Sequence, residues 1–175
     1  MTSVIFSHGQ ESGPWGTKIR AMSERVKALG CNVDSIDYQG IADPTERVEK
    51  LIRECRGISE PLILVGSSMG GHVATAAADV LSAAGLFVLA PAYYMEGYED
   101  LTPLPPSMPI AIVHGWHDDI VPVENSIRYA RGCSASLHLL DGDHRLTENI
   151  EAINDHLEQF IRNISDVHGA RGKQK

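Results

Sequence analysis

Six short apolar runs, separated by longer stretches of helical spacing, constrain this chain more than anything else in it. The runs cover residues 4–6, 33–36, 62–65, 86–89, 110–113 and 137–140. Several are continuous rather than alternating, which is how strands buried on both faces read. Between them, residues 18–29 place Ile19, Met22, Val26 and Leu29 at helical spacing, with Gly30 as a stop. Asp43-Pro44 opens a second helix, with Pro44 at its first position and Val48, Leu51, Ile52 and Cys55 on one face. An alanine-rich helix is expected over 73–84 and a shorter one over 122–131. A last one spans 147–164, with Ile150, Ile153, Leu157, Phe160 and Ile164 as its apolar stripe. Strand and helix alternate throughout. That pattern predicts a three-layer α/β/α sandwich of about six mostly parallel strands joined by right-handed crossovers. In such a sheet ligands bind at the carboxyl ends of the strands.

The length of 175 residues fits one domain with a real core, expected over residues 1–166. Residues 167–175 are short, basic and poor in apolar side chains, and are expected to form a disordered tail. No apolar run is long enough to span a bilayer. A strand-like run begins within three residues of the start, so no signal peptide is expected. A formal net charge of −8 argues against nucleic acid as a partner. Cys31, Cys55 and Cys133 are odd in number and widely spaced. They read as reduced packing residues in a cytoplasmic protein, not as a disulfide framework or a zinc site.

Gly66-Ser67-Ser68-Met69-Gly70 lies between the third apolar run and the alanine-rich stretch. A G-x-S-x-G pentapeptide at a strand-to-helix junction is a nucleophile elbow. A tight turn lifts the serine hydroxyl off the sheet, and its neighbours must be small. The helix that follows aims its N-terminal N–H groups at the same spot. An activated serine needs a base, and the base an orienting acid. Two later strand ends carry candidates: His114-Gly115-Trp116-His117-Asp118-Asp119-Ile120-Val121-Pro122 and Asp141-Gly142-Asp143-His144. Among eight histidines, His144 is best placed, between the last strand and the last helix. His8 and His114, at strand ends, are positioned to hydrogen-bond to active-site loops. Asp118 and Asp119 are adjacent, and spacing alone does not choose between them. His114 and His117 lack the further ligands that a metal site needs.

These segments, with Ser7-His8-Gly9-Gln10, resemble the α/β-hydrolase superfamily, in its small single-domain branch of carboxylesterases and thioesterases. The likeness runs from residue 4 to about residue 164. It implies Ser68 as nucleophile, His144 as base and Asp118 as orienting acid, because H-G-x-x-D-x-x-V-P matches at His114, Gly115, Asp118, Val121 and Pro122. It also implies an oxyanion hole made by the backbone N–H groups of Met69 and Gln10. The chain departs from larger members by starting at the strand usually third in the fold and by leaving no room for a cap domain. A smaller sheet and an open, shallow site are therefore expected.

The implied activity is hydrolysis of a small-molecule carboxylic ester or thioester through an acyl-enzyme, with no cofactor, no metal and no membrane partner. Acyl transfer, or cleavage of an amide or carbon–carbon bond, is the alternative on the same residues, and a non-catalytic binding module the third reading. Residues 91–109 form the longest stretch without a clear element and leave the carboxyl end of a strand. From this loop Tyr93 and Tyr94, and from the fifth strand end Trp116, are candidates to line an acyl pocket, with core packing as the competing role.

Overall fold

The structure, a computed structural model, describes residues 1–172. Its strands are β1 (Ser3–Ser7), β2 (Asn32–Ile36), β3 (Leu62–Ser67), β4 (Gly85–Leu89), β5 (Ile110–Gly115) and β6 (Ser136–Leu140). Its helices are α1 (Thr17–Ala28), α2 (Pro44–Cys55), α3 (Met69–Ala78), α4 (Val123–Cys133) and α5 (Ile150–Gly172). Each expected apolar run is a strand. All five strand pairings are parallel, and the sheet order is β2-β1-β3-β4-β5-β6.

The inner strands β1, β3, β4 and β5 are buried on both faces because both faces of the sheet are covered. Leu64, Val88 and Ile112 pack with Leu51 of α2, Ala74 and Ala77 of α3 and Tyr129 of α4. Their strand neighbours Val65, Phe87 and Val113 point the other way, onto Met22 and Val26 of α1 and Leu157 and Ile161 of α5. The chain steps outward from β1 to β2, then crosses back to β3 on the other side of β1. The sheet therefore reverses direction between β1 and β3, and the loops leaving these two strands diverge there. That is the switch point at which parallel sheets open a crevice. No cap domain is inserted among the described residues.

Helix α2 begins where its capping chemistry dictates. Asp43 accepts from the Thr45 N–H at 2.7 Å, and Pro44 occupies the first turn of α2. The largest differences from expectation lie in α3 and at the end of α5. Helix α3 starts at Met69 rather than at residue 73, because the elbow feeds directly into it. It stops at Ala78, and a turn with Ser82 left-handed (φ 50°) leads to β4. The final helix runs to Gly172, through residues 167–172 assigned above to the tail. No proline interrupts this stretch, and Ala170 and Arg171 favour helix. The remaining tail residues, 173–175, lie outside the described residues.

The loop over residues 91–109 is anchored rather than loose. Its start touches the elbow, with the Ala92 N–H donating to the Ser68 carbonyl at 3.0 Å. Further on, Asn125 Nδ2 donates to the Tyr93 carbonyl at 2.8 Å, and the Tyr129 hydroxyl donates to the Pro103 carbonyl at 3.1 Å.

Candidate active site

Ser68 sits between β3 and α3 with φ 54° and ψ −120°, a backbone conformation that non-glycine residues rarely hold. Four hydrogen bonds keep it there. Its N–H donates to the Leu89 carbonyl at 2.9 Å, and its carbonyl accepts from Gly71, His72 and Ala92. The flanking glycines are required by contact, not by dihedral angle. A Cβ on Gly66 would lie 2.4 Å from the Gly70 carbonyl oxygen, and one on Gly70 would lie 2.0 Å from that of Ser7. The G-x-S-x-G spacing thus lets α3 start directly against β1 and β3. With Gly71 and His72 taken up by the Ser68 carbonyl, the N–H of Met69 opens the helix with no intrahelical acceptor.

His144 comes from the loop after β6. Ser68 Oγ lies 3.2 Å from His144 Nε2, and His144 Nδ1 lies 2.7 Å from Asp118 Oδ2. A carboxylate only accepts, so Nδ1 carries the proton and Nε2 is left to accept from the serine hydroxyl. Two contacts shape this loop. Asp143 Oδ1 accepts from the N–H groups of Arg145 and Leu146, both at 3.0 Å. Lys18 Nζ donates to the Arg145 carbonyl at 2.9 Å, and burial brings the Lys18 amine down to about 8. The His144 side chain keeps 19% of its surface exposed, so water reaches the site.

The Asp118 carboxylate is fully buried and fully bonded. Oδ1 accepts from the N–H groups of Ile120 (2.9 Å) and Val121 (2.8 Å), while Oδ2 accepts from His144 and from His114 Nε2 at 3.0 Å. Burial opposes its charge, but the bonds from His144, Val121 and Ile120 outweigh that and hold the carboxyl below its ordinary range. Asp119, next in sequence, is exposed. His114 does hydrogen-bond to the site. Its Nδ1 accepts from the Ser126 hydroxyl at 2.7 Å, so its proton is on Nε2, facing Asp118 and the Val121 carbonyl. Burial lowers its basicity, which keeps it neutral beside Asp118.

The loop after β1 reaches the same place. A Cβ on Gly9 would lie 3.6 Å from Ser68 Cβ, so Gly9-Gln10 lies directly beside the serine. His8 is buried, with Nδ1 donating to the Gly9 carbonyl at 2.7 Å and Nε2 accepting the Tyr38 N–H at 2.8 Å.

The aromatic candidates separate. Tyr93 is a correction. It is 0% exposed, stacks on Tyr129 at 4.0 Å and bonds to the Thr75 hydroxyl, so it is a core residue and lines no open surface. Its ring found apolar partners on α3 and α4 because residues 91–109 fold back over them. Tyr94 is half-buried beneath the Arg128 guanidinium at 3.8 Å. Trp116 stands 52% exposed at the end of β5. A groove of about 490 Å³ lies between α2, α3 and residues 101–104, lined by Val48, His72, Ala76, Leu101, Pro103 and Leu104 among others. Ser68, His144, Gln10 and Met69 are not among its walls.

Other histidines are engaged elsewhere. His138 stacks on His156 at 3.8 Å, and His117 pairs with Asp141 on the surface at 3.0 Å. No three His, Cys, Asp or Glu side chains gather into a metal-holding group among the described residues. No helix among them is long and apolar enough to cross a membrane. The sequence reading missed Arg47 and Lys18. For Arg47 a signal existed: it falls on the stripe of Leu51 and Cys55, at i, i+4 and i+8.

A family model of an alpha/beta hydrolase domain matches residues 1–169. Mouse palmitoyl-protein thioesterase ABHD10, a mitochondrial protein, is 28% identical over 209 residues, covering 85% of this chain and 70% of its own. The crystal structure of a protein from Xanthomonas campestris pv. campestris, assigned to the alpha/beta hydrolase superfamily, superposes with a TM-score of 0.84. It is 29% identical and covers 92% of this chain and 98% of its own. Mouse alpha/beta hydrolase domain-containing protein 10 shares the fold, with a TM-score of 0.81 at 23% identity over 93% of this chain and 90% of its own.

Proposed function

The chain belongs to the alpha/beta hydrolase domain family, and on that premise we propose that it is a serine hydrolase of carboxylic esters or thioesters. The observation that carries this reading is the hydrogen-bonded line from Ser68 Oγ through His144 to the buried Asp118 carboxylate. Ser68 attacks the acyl carbonyl while His144 Nε2 takes its proton. Asp118 holds the ring in the tautomer that can accept and stabilises the imidazolium once it forms. The Met69 and Gln10 N–H groups receive the developing oxyanion, where each donor lowers the barrier by roughly 3–4 kcal/mol in comparable sites. The imidazolium protonates the leaving alcohol or thiol. Water then attacks the acyl-enzyme by the same path.

Water as acceptor, rather than a second alcohol, is favoured by the absence of a cap and by the exposed edge of His144. Thioesters are included because the mouse relative is named a thioesterase. Trp116, exposed at the end of β5, is assigned to the substrate's acyl or leaving group; Tyr94, held under Arg128, is not. The three thiols are free, and we place the protein in the reducing cytoplasm. The mouse relative is named as mitochondrial, so fractionation of cells expressing the tagged full chain is the test.

The chemistry is tested with nitrophenyl esters and acyl thioesters of graded chain length, together with a fluorophosphonate probe. Ser68→Ala should remove labelling and lower kcat on the order of 10⁶-fold while the protein stays folded. Ser67→Ala should be mild. Equal losses from the two would refute Ser68 as nucleophile.

A further inference from the structure

Arg47 is 2% exposed on α2, and no carboxylate lies within 4 Å of its guanidinium among the described residues. A buried cation without a counter-ion is costly unless hydrogen bonds replace its water. Here those bonds go to main-chain carbonyls. Nε donates to Ile41 at 2.7 Å, and one terminal nitrogen donates to Gly9 at 3.2 Å and, more weakly, to His8 at 3.5 Å. The Tyr38 ring covers the guanidinium at 5.2 Å. The charge is thus delivered to the loop after β1.

The Gly9 carbonyl receives a second donor, His8 Nδ1, at 2.7 Å. His8 is fixed in that role, because its Nε2 accepts the Tyr38 N–H and cannot also carry a proton. Burial, reinforced by the Arg47 charge, keeps the ring neutral. The Gly9 carbonyl and the Gln10 N–H belong to one planar trans peptide and point in opposite directions. Two donors on the oxygen therefore set the direction of the N–H, and Gly9 lies against Ser68.

We propose that Arg47, together with His8, is a positioning residue for the oxyanion hole. It clamps the Gly9 carbonyl so that the Gln10 N–H is held on the oxygen of an acyl group attached to Ser68. A cation at the carbonyl end also draws electron density toward that oxygen, which makes the N–H at the other end a stronger donor. This inference rests on the serine hydrolase reading. It adds that α2, a helix carrying none of the reacting groups, sets part of the transition-state stabilisation.

The test uses the full chain and measures wild type first. A wild type that neither turns over esters or thioesters nor reacts with a fluorophosphonate overturns the hydrolase reading, and this inference with it. In an active protein, Arg47→Met should lower kcat about 10- to 100-fold, short of the loss of a whole oxyanion donor, with KM changed by less than about threefold. Affinity for a trifluoromethyl ketone, which forms an oxyanion on the serine, should fall by the same factor as kcat/KM. Affinity for a non-hydrolysable ether of the same chain length should not change. Arg47→Lys, which keeps the charge and loses the fork, should recover part of the loss. Unchanged kcat, or equal weakening of ketone and ether, would overturn the inference while leaving the hydrolase reading standing. Should the variants fail to fold, wild-type NMR decides. On formation of the ketone adduct, the Gln10 amide proton should move downfield and the Arg47 side-chain N–H signals should move with it. A Gln10 amide that does not respond overturns the proposal.

Discussion

At the scale of single residues, Asp118 and Asp119 show how one step along the chain separates two identical side chains. Asp118 faces inward and receives four donors, two from its own turn and two from histidines. Asp119 faces water. Asp118→Asn should therefore lower kcat by about 10⁴-fold, with little change in KM, because an amide at that position favours the wrong tautomer of His144. Asp119→Asn should cost little, since an exposed carboxylate is screened. Steady-state kinetics on a nitrophenyl ester make the comparison, and the reverse ranking would move the acid to Asp119. His114 adds a second constraint. It binds the same carboxylate oxygen as His144 and stays neutral through burial, so it steadies Asp118 without competing for the proton.

At the scale of elements, the junction of β3 and α3 is built from backbone contact. The glycines of the elbow have no room for a side chain, whereas Gly132, near the end of α4, has nothing within 4 Å of where its Cβ would be. Gly70→Ala would place a methyl against the Ser7 and His8 carbonyl oxygens, neither of which can move without shifting β1. It should destabilise the protein by about 3 kcal/mol or more, at the upper end of overpacking effects. Gly132→Ala should stabilise by about 0.5–1 kcal/mol, through the lower entropy of its unfolded chain and its better helix propensity. Chemical denaturation of the two variants checks both signs. A mild Gly70→Ala would mean that α3 can slide away from β1, and that the elbow is looser than these contacts require.

At the scale of the molecule, the sheet separates two apolar layers while joining them into one body. Leu51 of α2 lies wholly in one layer and Leu157 of α5 wholly in the other, both completely buried. Each Leu→Ala substitution should cost about 2–5 kcal/mol. With the sheet between them and no shared neighbours, the double variant should cost the sum to within about 0.5 kcal/mol, in a single transition. Urea unfolding followed by two probes measures this. Two separate transitions would show layers that fold independently. The same separation explains the site's location. Loops from β1 and β3 diverge at the reversal of the sheet, and the loops after β5 and β6 close onto that edge from one side. The groups contributed by residues 8–10, 68–69, 118 and 144 meet there.

Much of this was legible in the chain itself, because the signals involved are local or periodic. Continuous apolar runs mark strands buried on both faces, helical spacing marks the crossovers, and the small residues around Ser68 mark a turn with no room. Those patterns are written within a few residues of each other and survive without knowledge of distant partners. What only the tertiary structure decided depends on which segments meet. Tyr93, in the loop after the fourth strand, and Trp116, at the end of the fifth, both read as candidates to line an acyl pocket; the fold-back of residues 91–109 buried one against Tyr129, and nothing covers much of the other. The end of α5 had no local stop signal strong enough to place it at residue 164. Arg47 falls on the buried stripe of α2, but what it binds there shows only once α2 is seen to pack where the loop after β1 turns. A charged side chain becomes part of a site only through carbonyls some forty residues away, and no spacing along the sequence encodes that meeting.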